Sequence, residues 1–211
     1  MIEIVLTAVD ENLANAWAQF CGDLDGVRIH RGSIFEVPSD AVVGPANSFG
    51  FMDGGIDALY VDRWGSALQD RVRHAIKKRH HGELLVGAAD IVETGGDVPY
   101  LIVAPIMRVP TILENSVNSY LAARAAFLLV QHGIFPDGPS RGHRIDTVVR
   151  RLAVPGLGTG VGQIGANTCA WQVRCAFEHV FLGQHFSPRS WAEASAQHQA
   201  LFTSRPTRLQ G

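Results

Sequence analysis

Two glycine-bearing segments hold the residue types that could handle a sugar and a phosphate. The first runs Val43-Gly44-Pro45-Ala46-Asn47-Ser48-Phe49-Gly50-Phe51-Met52-Asp53-Gly54-Gly55-Ile56-Asp57. Asn47 carries an amide that both donates to and accepts from a hydroxyl. Asp57, ten positions on, is a carboxylate able to hold a hydroxyl or orient a water. The glycines between them let the backbone approach a ligand closely. A helix is expected to begin at the end of this segment. Helix starts present free N–H groups and partial positive charge to an anion. The plainer reading makes Asn47 and Asp53 turn formers and Asp57 an acid that favours a helix N-terminus.

The second segment, Pro155-Gly156-Leu157-Gly158-Thr159-Gly160-Val161-Gly162-Gln163-Ile164-Gly165, has five glycines in its last ten residues. That density costs chain entropy and exceeds what simple turn chemistry needs. A nest of backbone N–H groups around phosphate is its physical reading. Gly160, Gly162 and Gly165 also match the G-x-G-x-x-G spacing. A dinucleotide-binding Rossmann unit, however, places that motif early, with an acid ~20 residues later on the next strand. Here the motif comes late, and the nearest acidic candidate, Glu178, falls within a helical pattern. A Rossmann dehydrogenase is therefore set aside.

The elements that must hold these loops alternate along the chain. Residues 2–9, 27–30, 41–43, 84–87, 89–93, 100–104 and 147–154 read as strands. Residues 12–21, 55–79, 115–131 and 166–182 read as helices, from apolar spacing near 3.6. The continuous apolar run at 100–104 suits a buried interior strand. Residues 137–144 read as a polar loop that need not be ordered. Asn115 is a candidate helix cap. Such alternation implies an α/β domain whose mostly parallel or mixed sheet is covered on both faces. Sheets of this kind bind ligands beyond the carboxyl ends of their strands. The pattern fades after Gly183. Residues 1–182 are expected to form the domain, and residues 183–211 a partly helical extension with a short helix near 191–202.

Composition narrows the functional classes. The chain of 211 residues is 46% hydrophobic and 18% charged, with a formal net charge of −2. No long-range field would gather nucleic acid or an anionic membrane, so local groups must hold any anion. Three cysteines without paired spacing argue against a disulfide framework or a zinc site. The N-terminal residues lack signal-peptide features, and no apolar run approaches ~18 residues. A soluble cytoplasmic setting is the expectation. The cluster Lys77-Lys78-Arg79-His80-His81 reads as a solvated helix end rather than a nucleic-acid patch. Arg108 is a candidate either for the rim of the site or for a surface ion pair.

Taken together, Gly32-Ser33-Ile34, Asp40-Ala41-Val42-Val43-Gly44-Pro45-Ala46-Asn47-Ser48, Gly54-Gly55-Ile56-Asp57 and the loop from Pro155 to Gly162 resemble the macrodomain family. In loop spacing they are nearest to its MacroD-type ADP-ribosyl hydrolases. The resemblance spans about residues 1–182. It implies a three-layer α/β/α fold with a mixed, mostly parallel sheet and an ADP-ribose cleft across its top. Ser33 would meet adenine, with Ile34 beside it as a further ligand-binding residue, and Asn47 would bind the distal ribose. Gly54, Gly55 and Ile56 would lie along ribose and diphosphate. Gly158, Thr159, Gly160 and Val161 would close on the diphosphate through their amides, with Gly162 beside them as a further ligand-binding residue. Asn47 and Asp57 would be the catalytic pair, with Asp57 activating water at the anomeric carbon. The scheme uses no metal or other cofactor. The implied function is hydrolysis of ADP-ribose from a protein, a nucleic acid or a small ester; the alternative is a binding module without turnover. Three departures stand out. Ser33 replaces the family's adenine-binding Asp, and Met52-Asp53 stand where two glycines are common. Gly162 replaces an aromatic residue that presses on the distal ribose, a role for which Phe49 and Phe51 are candidates.

Overall fold

Six apolar runs become strands in the computed structural model, which describes residues 2–205. They are β1 (Glu3–Ala8), β2 (Val27–Arg31), β3 (Ala41–Gly44), β4 (Asp90–Glu93), β5 (Tyr100–Val103) and β6 (Arg151–Val154). One sheet contains them in the order β2-β1-β6-β3-β5-β4. Four neighbouring pairs are parallel, and only β4–β5 is antiparallel.

Side chains alternate across a strand, and here both faces are apolar. Ile4, Leu6, Ala41, Val43, Ile102, Leu152 and Val154 pack into one core, with α1 (Glu11–Cys21), α4 (Asn118–His132) and α6 (Ala166–Phe181). Val5, Val42, Leu101, Val103 and Ala153 pack into the other, under α2 (Gly55–Trp64) and α3 (Ala67–Arg79). The result is the three-layer α/β/α fold.

Four expectations about elements change. The helix expected over 55–79 is two helices. Gly65, at φ +86°, donates its N–H to Val61 O and ends α2. Leu68, Val72 and Ile76 are buried on α3, whereas Leu59 on α2 is half exposed, so one periodicity spanned two elements. Residues 84–87 form no strand: Leu84 is buried, and a turn closes from Ala88 N–H to Leu85 O. Residues 147–154 divide into the end of a single helical turn, α5 (Ile145–Val148), and β6. The β-branched residues there read as strand because propensity does not see the turn. Asn115 caps nothing. It sits at φ +60°, and α4 begins at Asn118.

Val117, the residue before α4, gives no side-chain cap. A cap comes instead from α6. The Gln172 carboxamide, fully buried, accepts from Tyr120 N–H at 2.9 Å. It donates to Ser116 O at 2.7 Å and to Leu201 O at 3.2 Å. Leu201 follows the last helix, α7 (Trp191–Ala200), and Trp171 donates to Ala200 O at 3.0 Å. Gln172→Leu would strand a buried donor and two acceptors. We expect a loss of about 2–4 kcal/mol in urea denaturation; a change below about 0.5 kcal/mol would show the network to be dispensable.

Candidate functional site

The five parallel strands send their carboxyl ends into one cleft of about 340 Å³. Each contributes the residues that follow it. Gly32 to Phe35 come after β2, Val9 and Asp10 after β1, and the second glycine loop after β6. The first glycine loop comes after β3, and Ile106, Met107 and Pro110 after β5. All twelve residues singled out from sequence line this cleft: Ser33, Ile34, Asn47, Gly54, Gly55, Ile56, Asp57, Gly158, Thr159, Gly160, Val161 and Gly162. Phe51 joins them; Phe49 does not.

Two runs of backbone amides on cleft-lining residues have no acceptor among the described residues. Gly54 is the N-cap of α2 and supplies no side-chain cap. The N–H groups of Gly55, Ile56 and Asp57 therefore have no partner within the helix. In the second loop, the amides of Gly158, Thr159, Gly160, Val161 and Gly162 donate to no acceptor among the described residues. The loop holds its shape through other groups. Gln163 N–H donates to Gly160 O and Ile164 N–H to Gly158 O, each at 3.0 Å; Leu113 N–H donates to Gly162 O at 2.8 Å. Ser119 Oγ, from α4, donates to Leu157 O at 2.6 Å. A Cβ on Gly162 would lie 2.7 Å from Gly158 O, so this loop path itself excludes the aromatic residue. Helix-start amides and a glycine nest are groups that can together accept an anion without a cation. Among the described residues no Lys, Arg or His lines the cleft.

Asp57, in the first turn of α2, is 7% exposed. Its Oδ1 has no hydrogen-bond partner among the described residues. That atom lies against Gly44 of β3, where a Cβ would stand 2.8 Å away. Burial alone pushes the carboxyl up to about 7. Beside it, Tyr60 donates to Val43 O at 2.9 Å, and burial raises its hydroxyl well above the usual range. The Asp57 carboxyl is thus poised to exchange a proton near neutrality, where general acid–base chemistry is most effective.

Asn47 is committed differently. Its Nδ2 donates to Phe51 O at 2.7 Å, and its Oδ1 accepts from Phe49 N–H at 3.1 Å and Phe51 N–H at 3.3 Å. It shapes the first loop, as the turn reading expected, while also lining the cleft. Ser33 is a cap: its Oγ accepts from Phe35 N–H at 3.3 Å, and Glu36 accepts from Ser33 N–H at 3.2 Å. Arg108 pairs with Glu83 at 2.7 Å and lies over the Phe49 ring, outside the cleft. From the basic cluster, Arg79 and His80 clamp the buried Asp90. Among the described residues no cluster of three His, Cys, Asp or Glu is placed to hold a metal.

Sequence reading missed the cleft walls from β1 and β5, including Asp10, Ile106 and Met107, and missed Phe35. Strand order is what brings them in, and only the rule about carboxyl ends pointed toward them.

Residues 43–172 match the Macro domain family model. An uncharacterized protein of Aquifex aeolicus is 32% identical over 146 residues, 68% of this chain and 76% of its own length. One from Aeropyrum pernix is 27% identical over 150 residues, 70% of this chain and 68% of its own. Among solved structures, the macrodomain of Mycobacterium tuberculosis DarG superimposes with a TM-score of 0.55 at 18% identity, covering 71% of this chain and 88% of that one. A mutant Oceanobacillus iheyensis macrodomain with ADPR gives 0.57 at 14%, covering 81% and 86%. The same macrodomain with ADP gives 0.56 at 16%, covering 81% and 88%. The family match takes in both glycine loops whole and the strands between, over more than half of the chain; this protein belongs to the Macro domain family.

Proposed function

We propose that the cleft binds ADP-ribose and that the protein hydrolyses ADP-ribose from a modified protein, nucleic acid or small ester. One observation carries this reading: two arrays of acceptor-free amides and an unpaired buried carboxyl, Asp57, line the same cleft. The amides suit a diphosphate. The carboxyl suits proton removal from water beside the sugar. A solved macrodomain of the same fold, with ADPR, agrees with it.

In the scheme, Gly158 to Gly162 and the start of α2 hold the diphosphate, which fixes the distal ribose near Asp57. Ionised Asp57 takes a proton from water. The water oxygen bonds to the anomeric carbon, and the bond to the acceptor group breaks with its electron pair. A carboxylate acceptor leaves as the anion; any other takes a proton from solvent. Asn47 holds the loop that bounds the ribose.

A second reading, binding without turnover, is favoured by Asn47, whose side chain is already engaged with Phe49 and Phe51. Calorimetry with ADP-ribose, followed by release assays on carboxylate-, serine- and nucleic-acid-linked ADP-ribose, separates the two. We expect micromolar binding and release from one linkage. Binding with no release supports the second reading, and no binding at millimolar ligand ends both.

Residues 7–162 supply every cleft residue. We place the functional domain at 1–182 and regard 183–211 as an appendage; Met1 and residues 206–211 lie outside the described residues. Among the described residues no helix is long and apolar enough to cross a membrane. The cytoplasm is the setting we propose, since Cys21, Cys169 and Cys175 are all free thiols.

A further inference from the structure

The sheet order divides the cleft into ends. The amide-bearing loops follow β6 and β3 in the middle of the sheet, and Asp57 lies against β3. A ligand with its diphosphate on those loops and its reacting sugar at Asp57 therefore extends its base toward β1 and β2. The walls there are apolar: Ala8, Val9, Leu13, Ile34 and Phe35. They suit a flat ring and leave few polar groups to read its edge.

Two side chains are available at that end. Ala8 of β1 stands level with Arg31 of β2, and Gly32 N–H donates to Ala8 O at 2.9 Å. Asp10 and Ser33, each two residues further on, both line this end of the cleft. Ser33 is neutral and already accepts from Phe35 N–H. Asp10 caps α1 with one oxygen, Oδ1, which accepts from Leu13 N–H at 2.9 Å. Its other oxygen has no partner among the described residues. The Ile34 amide, likewise without an acceptor, lines the same wall. This end of the cleft therefore offers one charged acceptor and one backbone donor.

Resting on the ADP-ribose reading above, we propose that Asp10 is the specificity-determining residue for the base. Its free carboxylate oxygen accepts from the exocyclic amino group of a 6-aminopurine while the Ile34 amide donates to the ring nitrogen beside it. A 6-oxopurine presents the reverse pattern, an oxygen facing the carboxylate and an N–H facing the amide. Charge-assisted bonds are about twice as strong as neutral ones, and a carboxylate facing a carbonyl oxygen is repelled rather than merely left unpaired. Asp10 thus carries the discrimination that the neutral Ser33 hydroxyl does not.

The test is calorimetry on the full chain with ADP-ribose and its hypoxanthine counterpart. Wild type should prefer ADP-ribose by about 30-fold or more. Asp10→Asn keeps a good N-cap for α1 but turns an amino donor toward the base. Its preference should fall below about threefold or reverse. Asp10→Ser, also a competent cap, should lose the preference without reversing it, and thermal melts check that both variants fold. Wild type binding both ligands equally, or Asp10→Asn keeping the full preference, overturns the role of Asp10 and leaves the ADP-ribose reading intact. Failure of wild type to bind either ligand removes the reading on which it rests.

Discussion

Asp57→Asn is expected to abolish turnover and to stabilise the fold at neutral and alkaline pH. Loss of a general base costs about 10²- to 10⁴-fold in rate. In wild type the rate should rise with pH through about 7, the value at which the carboxyl ionises, and then level off. The stability effect follows from the same burial. An unfolded Asp releases its proton near pH 4, whereas folded Asp57 holds it to about 7. The unfolded state therefore binds fewer protons across that window, and stability falls as pH rises through it. Below the unfolded value both states are protonated and nothing is lost; above about 7 the full penalty is present. At about 1.4 kcal/mol per unit, and allowing for relaxation around the charge, asparagine should gain about 1–3 kcal/mol at pH 8 and almost nothing at pH 4. Urea denaturation at the two pH values measures this. Equal stabilities of wild type and variant at both would mean that the carboxyl is not held out of water.

The other large effect is expected at Gly158. Its φ of +82° is a conformation that side chains rarely adopt, and a Cβ there would stand 2.8 Å from Ile164 Cδ1 and 3.1 Å from Ile106 Cδ1. Gly158→Val must move the loop or the β5 side of the cleft, so the five amides lose their common geometry. We expect ADP-ribose affinity to fall at least ~100-fold, with about 2–4 kcal/mol of stability lost to strain and overpacking. Gly160 is the control. It has no atom within 4 Å of an added Cβ and no positive φ, so Gly160→Ala should keep stability within about 0.5 kcal/mol. Equal affinity in wild type and Gly158→Val would remove the second loop from the binding reading.

The two glycine loops were legible in the sequence because their chemistry is local. Glycine density, a helix start and the spacing from Asn47 to Asp57 all lie within short stretches of chain. The alternating elements likewise gave the layered sheet. Three kinds of information were not local. Gly65 divides a helix whose apolar rhythm runs on from Leu59 to Leu68, so periodicity alone could not find the break. The engagement of Asn47 with Phe49 and Phe51 depends on the path of the loop, which amino-acid type does not specify. Asp10 reads as an ordinary helix cap until strand order puts it in the same cleft as Ser33. Gly162 shows the opposite case: the replacement was visible in sequence, but its cause, the approach of Gly158 O, belongs to the folded loop.

Gln172 also sets an order of assembly. Ser119, which grips Leu157 O at the root of the second glycine loop, sits in the first turn of α4 beside Tyr120; Gln172 satisfies the Tyr120 amide and the Ser116 carbonyl that precedes the helix. A chain emerging from the ribosome makes α4 long before it makes the side chain that caps it, and Leu201 O, the last partner of that side chain, later still. At about 5–20 residues per second, the wait between Tyr120 and Leu201 lasts several seconds. The loop from Gly158 to Gly162 thus gains its full support only after Leu201 has been made, well after α4 itself.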